Sequence, residues 1–175
     1  MKILYNILLA VTSLVSLSCG ISISRDVRMN IPAQSKMNVI QLNLPYGEAE
    51  AVYGINAGII NVAQATYGVE VGVVNLNSKM RGLQVGLGNV QFPSGFKYSM
   101  QIGLLNINSG YQIALLNSKG MIQLGLLNAD GKYQIGIINS EGKYQLGLIN
   151  ICGNGWFMIL LNFCSDKEEP SLFAK

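Results

Sequence analysis

From Tyr111 to Asn150 the chain repeats itself every 11 residues, and this period restricts the possible folds more than any other feature of the sequence. Tyr111-Gln112-Ile113-Ala114-Leu115-Leu116-Asn117 is followed by Ile122-Gln123-Leu124-Gly125-Leu126-Leu127-Asn128, then by two further copies over 133–139 and 144–150. Aligned on the Gln position, earlier copies lie at 55–61, 69–75, 83–89 and 100–106, with spacings of 14, 14 and 17 residues between them. Ile40-Gln41-Leu42-Asn43-Leu44 reads as a degenerate first copy, and Trp156-Phe157-Met158-Ile159-Leu160-Leu161-Asn162 as a capping last one. A fixed core with variable spacers makes the core the structural unit and the spacer a loop. The longest spacer carries Gln91-Phe92-Pro93-Ser94-Gly95-Phe96-Lys97.

Within each copy apolar and small or polar residues alternate, which is the period of a strand and not of a helix. Asn128-Ala129-Asp130-Gly131 and Asn139-Ser140-Glu141-Gly142 read as turns, with Asn first and Gly fourth as a type I turn prefers. The expected fold is therefore all-β. Two architectures fit: a tandem-repeat β-solenoid with about one short strand per repeat, or an antiparallel β-meander that closes as an up-and-down barrel. Three features favour the coil. The aliphatic pair before each Asn, such as Leu126-Leu127 and Ile137-Ile138, suits two adjacent inward residues at a corner. The residue after Asn is often apolar, as at Val62, Leu76, Val90, Ile107, Ile151 and Phe163. In-register stacking also rewards strict repetition with Asn and Gly ladders. Eleven residues make a tight coil, which two repeats per coil would relieve, and strands of about seven residues are short for an outer-membrane barrel.

The ends of the chain point to export. Lys2 and the mostly apolar run from Ile3 to Leu17 precede the small residues Ser18 and Gly20, the pattern of a secretory signal. Cys19 stands where a lipoprotein signal places its lipidated cysteine. Of the three cysteines, Cys152 and Cys164 each lie two residues after a repeat Asn and form a candidate disulfide, which leaves Cys19 as the odd one that lipidation accounts for. In a coil of one repeat they would stack within disulfide reach; in a meander or a 22-residue roll they would lie at opposite ends of adjacent strands. The expected organisation is a signal peptide over 1–18, a lipid-tethered segment over 19–50, a β-repeat domain over 51–164 and a charged tail over 165–175.

No catalytic constellation is visible. The chain has no histidine, so Ser–His–Asp and Cys–His arrangements are excluded. Its nine acidic residues are scattered, and Glu48 with Glu50 reads as part of a solvated linker. The turns lack the Asp-rich pattern of calcium-binding coils, and the mid-strand Gly residues lack the helix and Lys of a phosphate loop. No metal site or cofactor is expected. A net charge of +3 with only 12% charged residues gives no basic face for nucleic acid. Tyr111, Tyr133 and Tyr144 share one repeat position and form a candidate binding strip.

The cores Gln123-Leu124-Gly125-Leu126-Leu127-Asn128 and Gln134-Ile135-Gly136-Ile137-Ile138-Asn139 resemble the tandem repeats of the leptospiral surface-repeat family. That resemblance, over residues 54–164, implies export and surface exposure and supplies no activity. The resulting expectation is a non-enzymatic repeat lipoprotein of the outer membrane, cell surface or periplasm, structural or adhesive, held to the membrane through Cys19 and binding a host or envelope macromolecule. The alternatives are a soluble exported protein that self-associates through its sheet edges, and a small outer-membrane β-barrel.

Overall fold

The structure, a computed structural model, describes residues 18–24, 26–33, 35–92, 98–153 and 155–164. The apolar leader up to Leu17 and the charged tail from Ser165 lie outside the described residues. Eight strands form one sheet: β1 (Cys19–Ser22), β2 (Arg28–Ile31), β3 (Met37–Val71), β4 (Val74–Val85), β5 (Gly88–Gln91), β6 (Ser99–Ser140), β7 (Tyr144–Ile151) and β8 (Phe157–Phe163). Apart from β1–β2 and β7–β8, which are antiparallel, the pairings between them are parallel.

The register identifies the coil. Asn61 pairs with Asn75, Asn75 with Asn89 and Asn89 with Asn106. Tyr133 then pairs with Tyr144, Gln134 with Gln145, Gly136 with Gly147 and Asn139 with Asn150. Each repeat therefore lies over the same positions of the one before it, and the chain is a β-solenoid with one repeat per coil. The meander, the up-and-down barrel and the 22-residue roll would need antiparallel neighbours or a doubled register, and none of these forms in the repeats. Spacer length sets coil size: 14 residues per coil in the N-terminal part and 11 in the C-terminal part.

The expected type I turn is not what closes the narrow coils. Asn108, Lys119, Asp130 and Glu141, each two residues after a ladder Asn, have φ of 60, 56, 54 and 55°. A positive φ at that place rules out type I, whose two central residues both have negative φ. These residues bend an otherwise continuous strand, which is why β6 runs unbroken for 42 residues. The wider coils bend instead at Gly54, Gly68 and Gly82, with φ of 151, 145 and 134°.

The largest departure from the sequence reading concerns which face is inside. The paired aliphatic residues were expected to point inward, and they point out. Buried apolar residues among those described are few: Val52, Ala63, Met80, Ala114 and Cys152. The interior holds amides instead, with Gln112, Gln123, Gln134, Gln145, Asn117, Asn128, Asn139 and Asn150 all buried. Perimeter explains the inversion. Eleven residues at about 3.3 Å each enclose a loop of only about 36 Å, too narrow for four large apolar side chains per layer. One Gln and one Asn fill it, opposite two small positions. A Cβ added to Gly131 would lie 2.4 Å from Gln123 Oε1, and one on Gly136 would lie 2.2 Å from the Gly125 carbonyl oxygen.

Residues 19–50 are not a free tether, and residue 51 is not a structural boundary. β3 runs straight through that position, and β1 lies on β3 with Cys19 opposite Ile40 and Ile21 opposite Leu42. The reason is that Ile40-Gln41-Leu42-Asn43 already carries the repeat pattern. Gln41 and Asn43 are buried, and Gln41 Nε2 donates to Asn43 Oδ1 at 2.8 Å.

At the other end β8 turns back along β7. Asn162 Nδ2 donates to Gln145 Oε1 at 2.9 Å, and Asn150 Nδ2 donates to the Leu160 carbonyl at 3.1 Å, so β8 terminates both amide columns. Cys152 and Cys164 are joined as a disulfide with Cα atoms 5.6 Å apart. The bond spans this antiparallel return and does not link two parallel coils, which is a different geometry from simple stacking.

Candidate functional site

The interior is a closed hydrogen-bond system. Asn128 Nδ2 donates to Asn139 Oδ1 at 2.8 Å and to the Ile135 carbonyl at 3.0 Å. Gln134 Nε2 donates to Gln123 Oε1 at 2.9 Å and to the Ser140 carbonyl at 3.0 Å. Asn128 and Gln134 thus each spend one hydrogen along the stack and the other on a backbone carbonyl, as do Asn117, Asn139, Gln123 and Gln145. Buried polar groups are costly unless they are paired in this way. Among the described residues only Asn38 Oδ1 is buried without a partner.

The two ladders run in opposite senses. Asn donors point toward the C-terminal end from Asn61 through Asn139. Gln donors point toward the N-terminal end, from Gln145 through Gln134, Gln123, Gln112 and Gln101 to Gln84. Aligned amide dipoles in one column are therefore opposed by those in the other.

The Gln column ends on Glu70, which occupies the Gln position of its own repeat and is fully buried. Gln84 Nε2 donates to it at 2.8 Å from one side and Asn56 Nδ2 at 2.6 Å from the other, with Asn77 Nδ2 as a third donor. Asn43 Nδ2 feeds Asn56 Oδ1 at 2.8 Å. Two donor chains converge here, and a carboxylate is the side chain that accepts from both without offering a donor of its own. Burial raises its pKa to about 7, and the hydrogen bonds from Gln84, Asn56 and Asn77 oppose that rise. In the sequence Glu70 stands out only as an acid at a Gln position, and that clue identifies it.

With amides inside, the chemistry that faces outward is aliphatic. Leu124, Leu126, Ile135, Ile137 and Leu148 are 44–58% exposed. The first, third and fifth residues of successive copies make three adjacent columns on one side. The sixth, including Leu116, Leu127 and Ile149, continues them round a corner. From Val69 to Leu148 this surface covers roughly 20 by 34 Å, about 700 Å², taking six residues per strand and seven coils at sheet spacing. The largest apolar patch on an ordinary monomer is about 300–600 Å².

Tyr111, Tyr133 and Tyr144 form one border of this surface. Tyr133 and Tyr144 stack with ring centroids 5.0 Å apart, and Tyr144 meets Phe163 edge-on at 5.8 Å. Tyr111 stands apart because Ile122 occupies the coil between. In the wider coils Tyr53 stacks on Tyr67 at 4.8 Å, two residues earlier on the same border, and Tyr67 pairs with Arg81. Lys132 Nζ sits 5.2 Å from the centre of the Tyr133 ring. Beyond the tyrosines runs a ridge of exposed charged residues that includes Lys79, Arg81, Lys119, Asp130, Lys132 and Glu141. Glu48 and Glu50 are strand residues of β3 and not linker. Cys19 is a free thiol, half-buried.

No cluster of three metal-ligating side chains occurs among the described residues, and no helix among them is long and apolar enough to cross a membrane. No protein-family model, no curated protein and no solved structure matches the chain.

Proposed function

We propose that the protein is an exported, non-enzymatic repeat lipoprotein whose outer apolar face is its working surface, anchored through Cys19 in the outer membrane or cell envelope. One observation carries this reading. The coil is inverted, so a continuous aliphatic face bordered by tyrosines is presented outward along its length. Such faces on folded proteins serve association. The repeat's resemblance to the leptospiral surface-repeat family and the signal-like leader support export, and the odd cysteine supports the anchor. The role is structural or adhesive, because the buried amides are committed to one another and the outer face offers contact area, not reacting groups.

Labelled palmitate fed to cells making the wild type or Cys19→Ala tests the anchor. Label in the wild type alone is expected; label in neither contradicts the lipoprotein. Protease added to intact cells then places the repeats: cleavage without lysis puts them at the surface, and protection puts them in the periplasm.

A soluble, self-associating protein is the second reading. It is favoured by β8, an apolar strand at the end of the sheet order whose Phe157, Ile159 and Phe163 are 67–70% exposed.

A further inference from the structure

We infer that the occupant of the apolar face is a lipid bilayer, and that the solenoid lies along the membrane with its long axis in the plane. This rests on the reading of that face as the working surface.

Four observations select lipid over a second copy. First, the face is not flat. The adjacent outward pairs Leu126-Leu127 and Ile137-Ile138 carry it round a convex corner. A rigid partner face covers one side of such a corner, whereas fluid acyl chains follow both. Second, the outward side chains of the third, fifth and sixth columns carry no hydrogen-bonding groups. Protein interfaces carry about one hydrogen bond per 100–200 Å², so a partner protein over this area would make several. Hydrocarbon makes none. Third, the border has the order of a membrane interface: aliphatic columns, then tyrosines, then a charged ridge in which Lys119 and Lys132 stand among Asp130 and Glu141. Tyr133 and Tyr144 lie beside the aliphatic columns, with Lys132 over the Tyr133 ring and Arg81 in register with Tyr67. Aromatic residues with an apolar body and a polar tip sit at the headgroup level, and Lys or Arg reach past them to anionic groups. Fourth, Cys19 pairs with Ile40 and Ile21 with Leu42, and Ile40 and Leu42 are the outward residues of the first repeat copy. An acyl chain on Cys19 therefore leaves the protein from the side that carries the aliphatic columns, so anchor and face address one plane.

The interior suits this placement. Backbone and side-chain amides next to hydrocarbon must find their partners inside the protein, and the two ladders supply them.

The test uses the full-length chain as Cys19→Ser, so that no acyl chain contributes. Flotation is measured with vesicles of phosphatidylcholine alone and of phosphatidylcholine with phosphatidylglycerol at 7:3, and solution mass by light scattering without lipid. The unacylated chain is expected to float with both vesicles, more strongly with the anionic ones. Leu124→Glu/Ile135→Glu is expected to lower the floated fraction at least tenfold. Ser140→Glu, on the far side of the ladder Asn, is expected to change it less than twofold. Circular dichroism and melting of each variant show that the fold is retained. Should the doubly substituted variant not fold, Leu126→Trp in a Trp156→Phe background replaces it, and the expected result is a blue-shifted emission on adding vesicles. A chain that stays at the bottom of the gradient, or an emission that does not shift, overturns the lipid inference. If that unbound chain is instead a dimer split by Leu124→Glu/Ile135→Glu, the face is still the working surface and its occupant is a second copy. If it is a monomer indifferent to the face substitutions, the reading of the face fails with it.

Discussion

Gln134 donates from Nε2 to Gln123 Oε1 at 2.9 Å, directly along the axis of the coil. The same contact recurs between Gln145 and Gln134 at 3.0 Å and between Gln123 and Gln112 at 2.9 Å. A column of buried amides thus occupies the place where a hydrophobic core would ordinarily be. The stability of the fold then rests on side-chain ladders and backbone pairing, and the apolar residues are left for the outside.

Inward and outward substitutions should therefore have inverted effects. Asn128→Leu leaves the Asn117 amide, which donates to Asn128 Oδ1 at 2.9 Å, without its acceptor along the stack and leaves the Ile135 carbonyl without its donor. The expected loss is about 3 kcal/mol or more, since each buried unpaired group costs about 1–3 kcal/mol. Ile137→Thr, at an outward position, should cost less than about 1 kcal/mol. Urea unfolding followed by circular dichroism compares the two, and an aliphatic core would reverse their order.

Glycine positions separate in the same way. Gly136→Ala places a methyl 2.2 Å from the Gly125 carbonyl oxygen, which is backbone and cannot yield. It should destabilise by about 1–3 kcal/mol, the usual range for overpacking. An alanine at Gly88 meets nothing within 4 Å and should be neutral within about 0.5 kcal/mol. Melting temperatures of the two variants check the contrast.

Glu70 gives the solenoid a pH dependence of definite sign. Its folded pKa is raised to about 7, so between the ordinary carboxylate value and neutrality the folded chain holds a proton that the unfolded chain has released. Stability is then greatest below the unfolded pKa, falls as pH rises through about 7 and levels off above it. The span is on the order of 3 kcal/mol. Glu70→Gln should flatten this slope. Melting temperature measured from pH 4 to 9 checks this.

Repetition made the coil legible, and width decided what repetition left open. The 11-residue spacing of Tyr133 and Tyr144 is their register, and the Asn at the end of each copy forms the expected ladder. Alternation says only that two faces differ. Assigning Ile137 and Ile138 to the inside follows the usual habit of apolar cores, and the narrow perimeter overrules it. Glu70 can be picked out only by noticing an acid in the Gln column, because the convergence of Asn56 and Gln84 on it depends on the senses of two hydrogen-bond chains. The bend at Asp130 imitates a type I turn in sequence because Asn and Gly flank it at turn spacing. The return of β8, which brings Cys152 to Cys164 antiparallel, has no local signal beyond the capping character of residues 156–162.

The disulfide ties that return to the last coil. Replacing both cysteines with Ala should release β8 and cost about 3 kcal/mol, the loop-closure value for a bridge of this length. Without β8, Gln145 Oε1 loses the Asn162 donor, and limited proteolysis should cut between Cys152 and Phe163 first. Equal resistance of wild type and variant would show that β8 is held without the bridge.

The inverted coil is tested most directly by hydrogen exchange of the side-chain amides, followed by nuclear magnetic resonance in deuterated water. With Gln and Asn inside, the NH2 signals of Gln123, Gln134, Asn128 and Asn139 persist at least a hundredfold longer than those of an exposed amide such as Gln64. Loss of those signals as fast as Gln64 would place the amides outside and contradict the inversion.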